Sequence, residues 1–179
     1  MTHQSGWYTY QFIRNTQLAI AMTMTTLAWL GMAAYAAHIL EEYTLDWRNW
    51  ARNVLGLSAE WNDFYVTNCI VVALGIAQAM LAPTLPIAVL GYAGLEFING
   101  FFMHVVPFVR KKGRFSPGLI TAVFFFLPLS VTTFWFALST GLASLGDIAL
   151  GLVIGALTLA FPIVMLIVKS WPYFRQDYA

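Results

Sequence analysis

From residue 17 onward the chain alternates between long apolar runs and short clusters of proline, glycine and polar residues. Five runs are long enough to cross a hydrocarbon core of ~30 Å at a rise of about 1.5 Å per residue. They lie near residues 17–40, 65–81, 85–109, 119–139 and 148–168, the second being the shortest. Ala82-Pro83-Thr84, the stretch from Gly113 to Gly118 and the stretch from Ser139 to Asp147 mark the joints. Between the first two runs, Leu45, Trp47, Trp50, Val54 and Leu57 fall roughly on one helical face. That spacing predicts a short amphipathic helix lying in the interface, with its indoles at headgroup depth. The expected fold is an all-α integral membrane bundle of about five transmembrane helices plus this interfacial helix, in a single polytopic domain over residues 1–179.

Composition agrees with lipid as the solvent. Only 9% of the residues are charged and 60% are hydrophobic, whereas a soluble domain carries about 25% charge. A net charge of +1 excludes the strongly basic balance of a nucleic-acid partner. The single Cys69 rules out an intrachain disulfide and a multi-cysteine zinc site, and its apolar neighbours predict a small buried hydrophobe.

Charge also orients the bundle. With five spans, the N-terminus and two short turns share one face and hold only Arg14. The other face receives Arg48, Arg52, Arg110, Lys111, Lys112, Arg114, Lys169 and Arg175. The positive-inside rule therefore predicts an outside N-terminus and a cytoplasmic C-terminus. Ala34-Tyr35-Ala36 has the small residues of a signal-peptide cleavage site, but the weakly basic leading region predicts that the first span is retained. A prokaryotic inner membrane is the expected location. Trp171, Tyr173 and Phe174 form an expected interfacial anchor, and Gly151, Gly155 and Ala156 a small-residue packing surface in the last span.

The ionisable residues inside the spans carry the candidate chemistry. A carboxylate near mid-membrane costs about 2.5–3.5 kcal/mol on insertion scales, so Glu96, half-way through the third span, requires a partner, a proton or a water-filled cavity. His38, Glu41 and Glu42 close the first span with i, i+3, i+4 spacing, so one face presents His38 with either carboxylate. The first and third spans run in the same direction, which puts His38 and His104 at similar depth. Glu96 lies eight residues before His104, about 12 Å deeper in an undistorted helix. The expected cluster is therefore His38, Glu41 or Glu42, and His104, with Glu96 and Asn99 lining a cavity above it. Asn68 either joins that site or bridges helices, and His3 carries no signal.

These residues are similar to a named family. His38-Ile39-Leu40-Glu41-Glu42 matches the signature of the HXXEE-domain membrane proteins, which also carry a later histidine and a Tyr-x-Pro-Gly motif. His104 follows Asn99, and Phe115-Ser116-Pro117-Gly118 comes next, so the resemblance runs from about His38 to Gly118. Phe115 replaces the tyrosine and removes its hydroxyl, so position 115 is given no chemical role. Pro117-Gly118 is the expected start of the fourth span. The resemblance implies no particular reaction.

Three functions follow as expectations. The first is an intramembrane enzyme acting on a lipophilic small molecule, with His38, Glu41, Glu42, Glu96, Asn99 and His104 as its catalytic residues. His38, Glu42 and His104 would be its metal ligands, imidazole and carboxylate suiting Zn or non-haem Fe. Without metal the same groups would serve as general acid and base. The second is a non-catalytic subunit or assembly factor of a larger membrane complex, and the third a proton-coupled transporter using Glu96, Asn99, His104 and His38 as a relay. Membrane lipids are the expected surroundings, and the sequence leaves open a homo-oligomer or a larger complex.

Overall fold

The computed structural model describes residues 3–169 and 171–174, with side chains for 10–20, 22–169 and 171–174. Among the described residues the secondary structure is helical throughout, and five helices are long and apolar enough to cross a membrane. These are α1 (His3–Thr44), α3 (Trp61–Leu81), α4 (Pro86–Arg110), α5 (Leu119–Ser139) and α6 (Leu145–Lys169), with the short α2 (Trp47–Trp50) between the first two. All five predicted spans are present: the first, second and fifth are longer than predicted, the third is shifted by one residue and the fourth has the predicted bounds. His3, which carried no signal in the sequence, has a side chain outside the described part.

The centre of the bundle is α4. Every residue from Val89 to Glu96 is buried, and a helix covered on all sides is an interior helix. Its contact with α6 rests on glycines, as the sequence suggested for that last span. Gly94 meets Gly151 and Gly155, and Gly91 meets Ile154, so closely that a Cβ on Gly155 would stand 2.2 Å from the Gly94 carbonyl carbon and the Leu95 nitrogen. Lipid offers no hydrophobic drive for association, so such close approach provides the dispersion contact that holds the pair. Gln78 adds a polar tie, donating to the Ala28 carbonyl of α1 at 2.9 Å.

Two spans leave regular α-helical winding, each in a segment that ends two residues before a proline. Residues Asn99–Val105 of α4 form a π-helix ahead of Pro107, and Ala122–Phe126 of α5 form another ahead of Pro128. Proline has no N–H and its ring crowds the carbonyl four residues back. The i→i+5 pattern absorbs that misfit, as when the Val106 N–H reaches Phe101 O and the Leu127 N–H reaches Ala122 O.

Between α1 and α3 the chain folds back as a strap. Asp46 adopts a left-handed conformation (φ 59°) and accepts from the Asn49 N–H to start α2, which continues as a π turn over Ala51–Leu55. Trp50 corrects the interfacial expectation: it is buried and stacks on the His104 ring, centroids 6.2 Å apart. Trp47 is only half-buried, so the strap covers the inside of the bundle as well as lying at its surface. Cys69 also departs from expectation, facing outward on α3.

Glu60 fastens the strap by accepting from Arg48 Nε at 2.8 Å and from Arg52. Hydrogen bonding from Arg48, then from Arg52, holds the Glu60 carboxyl below the usual carboxylate range. A depressed folded-state pKa means that the fastening is fully present above the unfolded value of about 4.3 and is lost as pH falls through the lower folded value. Hydrogen exchange over residues 45–60, corrected for intrinsic rates, should therefore be faster at pH 3 than at pH 7. Glu60→Gln should be fast at both; equal protection in all four conditions would refute the latch.

Candidate metal centre

α1 ends in the pentapeptide His38 to Glu42, whose first and last members lie four residues apart on one helical face. His38 Nε2 stands 3.4 Å from Glu42 Oε1. His104 Nε2, arriving from the π segment of α4, stands 3.6 Å from the same oxygen. One donor atom from each of the three residues lies within 4.8 Å of the others. Both imidazoles are fully buried, and Glu42 is nearly so. The separations from Glu42 are long for hydrogen bonds. They match the roughly 3.4 Å edge between ligands held about 2.1 Å from one tetrahedral ion. His104 Nε2 has no hydrogen-bond partner despite its burial, which calls for an explanation such as an ion.

The second nitrogen of each ring is already occupied. His38 Nδ1 lies 2.8 Å from Thr121 Oγ1, and that hydroxyl gives its proton to Glu41 Oε2 at 2.6 Å. With its proton committed to a carboxylate, the hydroxyl accepts from His38 Nδ1–H, so His38 Nε2 is the unprotonated nitrogen, facing Glu42 Oε1 and the Asn99 amide. His104 Nδ1 lies 2.9 Å from Ser116 Oγ. Hydroxyls thus orient both rings from behind, as outer-shell groups do for metal-bound histidines. Around them, His38 packs at 4.3 Å from the Phe126 ring and edge-on at 4.8 Å to His104.

Of the two carboxylates the sequence left open, Glu42 joins the histidines and Glu41 turns to α5. Glu41 Oε1 accepts the Gly118 and Ile120 N–H groups at 3.0 and 3.1 Å, and Oε2 accepts the Thr121 N–H at 2.8 Å. These are the orphan donors of a helix start, where negative charge is favoured. Glu41 therefore caps α5 while orienting His38 through Thr121. Glu41→Gln leaves one acceptor oxygen for these donors, and unpaired buried groups cost about 1–3 kcal/mol each. We expect a lowered unfolding midpoint and a loss of metal affinity of about tenfold, the usual effect of an outer-shell change; unchanged binding by isothermal titration would contradict this role.

Gly118 explains the Ser-Pro-Gly turn. Its φ is +96°, and a Cβ there would lie 2.6 Å from Cε1 of both His38 and His104. Phe115 of the same motif points outward and is exposed, so it takes no part in the cluster. Sequence reasoning passed over Ser116 and Thr121 as site residues. The turn motif was a usable signal for Ser116, but nothing local marked Thr121.

The remaining polar residues separate. Asn99 Nδ2 stands 3.4 Å from His38 Nε2 and lines a cavity of about 80 Å³, shared with Glu42, Asn68, Tyr35 and Met103. Five residues on an α-helix differ by about 140° in direction, so regular winding would send Asn99 and His104 to different sides. The π segment realigns them. Asn68 donates to the Phe64 carbonyl of its own helix and also lines the cavity. Glu96 lies apart from that cavity: it is buried against Gly31 of α1, where a Cβ would stand 3.2 Å from Oε1, and Oε1 has no partner.

Comparison with known proteins returns one family model, described as a protein of unknown function with HXXEE motif. It matches residues 29–133, more than half of the chain, and includes all three clustered residues. No curated protein and no solved structure matches.

Proposed function

This chain belongs to the HXXEE family, and on that premise we propose an intramembrane enzyme in which His38, Glu42 and His104 hold a divalent metal and act on a lipophilic substrate. The observation that carries the reading is the convergence of two imidazole Nε2 atoms on one Glu42 oxygen, with His104 Nε2 otherwise orphaned. Two histidines and a carboxylate suit zinc in a site that keeps an open position, and equally non-haem iron. Bound there, the ion would supply Lewis acidity toward a carbonyl or a water.

The chain's own residues serve the site in separate ways. Thr121 and Ser116 fix the ring orientations, Trp50 and Phe126 cover the imidazoles, and Asn99 offers an amide at the cavity wall. The site lies at the end of the bundle where Arg48, Arg52 and Lys169 cluster. The positive-inside rule supports reading this as the cytoplasmic side, with the N-terminus outside; the membrane we propose is a prokaryotic inner membrane.

Metal analysis of the natively purified full chain tests the proposal. We expect about one zinc or iron per chain, the stoichiometry of a single three-ligand site. His104→Ala should carry none while keeping its helical circular dichroism. A wild-type protein that neither retains nor takes up metal would sink the reading.

A further inference from the structure

We propose that the outer groove between α3 and α6 receives the hydrocarbon chain of a lipid from the leaflet on the basic side, a substrate class that rests on the metal-site reading above. The groove encloses about 730 Å³ and is walled chiefly by Val66, Ile70, Leu74, Leu157, Phe161 and Met165. It runs from Asn62 to Leu74 on α3, a length of about 18 Å at helical rise. Its far end is apolar apart from Thr158, whose hydroxyl donates to the Ile154 carbonyl of its own helix at 2.8 Å. At its near end, Lys169 Nζ binds both Asp63 oxygens at 2.8 Å, and Asn62 stands beside them.

An apolar trough with polar groups at one end suits an amphiphile whose head lies at the interface and whose chain points inward. The wall is also continuous with the metal site. Asp63, Thr67, Pro162 and Leu166 border both this groove and the 80 Å³ cavity that touches Glu42 and Asn99. A lipid seated with its chain along Ile70 and Leu74 therefore has its head-to-chain junction at Thr67, next to the cavity opening. Chain-bearing lipids are the surrounding solvent of this helix face, so the occupant needs no separate route of entry.

The test uses full-length protein in phosphatidylcholine–phosphatidylglycerol vesicles containing palmitate with a diazirine near its chain end. After irradiation, we expect a saturable adduct mapping to residues 66–74 and 157–165. Leu74→Trp and Leu157→Trp, both at outward-facing positions, should abolish it while leaving metal content unchanged. Labelling that fails to saturate and follows general lipid exposure over α1, α3, α5 and α6 would overturn the proposal. So would a disulfide-linked dimer through Val66→Cys or Met165→Cys in a Cys69→Ser background, because a second copy would then fill the groove. Metal content is read separately: a metal-free protein with a saturable adduct removes the enzyme reading and keeps the groove, and a metal-loaded protein without the adduct does the reverse.

Discussion

Gly118→Ala should yield a protein that assembles as a bundle and fails to hold metal. A Cβ at this position would stand 2.6 Å from a carbon of each site imidazole. Neither ring can retreat freely, because Thr121 and Ser116 hold the Nδ1 atom bonded to each of those carbons. The backbone adds to the conflict, since alanine at φ +96° costs about 1–3 kcal/mol. We expect metal affinity to fall by about a hundredfold, the upper end of the outer-shell range. Gly113→Ala is the matched control: it also has positive φ, but a Cβ there meets only the Phe108 ring at 3.9 Å. Equal loss in both variants would show that strain, rather than ring displacement, is responsible.

The second large effect is on assembly. Gly155→Val would place side-chain atoms inside the α4 backbone, where the first added carbon already stands 2.2 Å from Gly94 and Leu95 atoms. Backbone cannot give way as a flexible side chain does, and ordinary overpacking already costs about 1–3 kcal/mol. We expect about 3 kcal/mol or more, seen as a strongly reduced midpoint in detergent unfolding and displacement of α6. Gly146→Ala, at the start of the same helix and with only Ser144 Oγ at 3.5 Å, should be near neutral. Similar midpoints for wild type and Gly155→Val would refute glycine-mediated packing between these two spans.

How far these features could be read from sequence differs from element to element, for physical reasons. Spans declare themselves through local composition, and the spacing from His38 to Glu42 defines a helical face. The depth argument also placed His104 level with His38 because the two helices run in parallel. Asn99 was harder to relate to His104, since its direction depends on the π register imposed ahead of Pro107. The choice between Glu41 and Glu42 depended on where the start of α5 would dock, a contact across 77 residues or more. Trp50 was misread because an indole on an amphipathic face can serve equally at an interface or against a buried ring. Glu96 is the reverse case. Its cost in lipid was plain from sequence, yet its neighbour is Gly31, whose missing side chain gives no polar signal.

The Glu41 cap also bears on the order of biogenesis. During translation α1 enters the membrane with a carboxylate whose partners are Gly118, Ile120 and Thr121, 77 to 80 residues downstream. Until the fourth span is synthesised, Glu41 must keep water or lipid headgroups as its neighbours, and His38 lacks the hydroxyl that sets its ring. Insertion of that span satisfies the carboxylate, the helix terminus and the imidazole together. On the metal-centre proposal, His38 would therefore reach its ligating orientation only once the fourth span is in place.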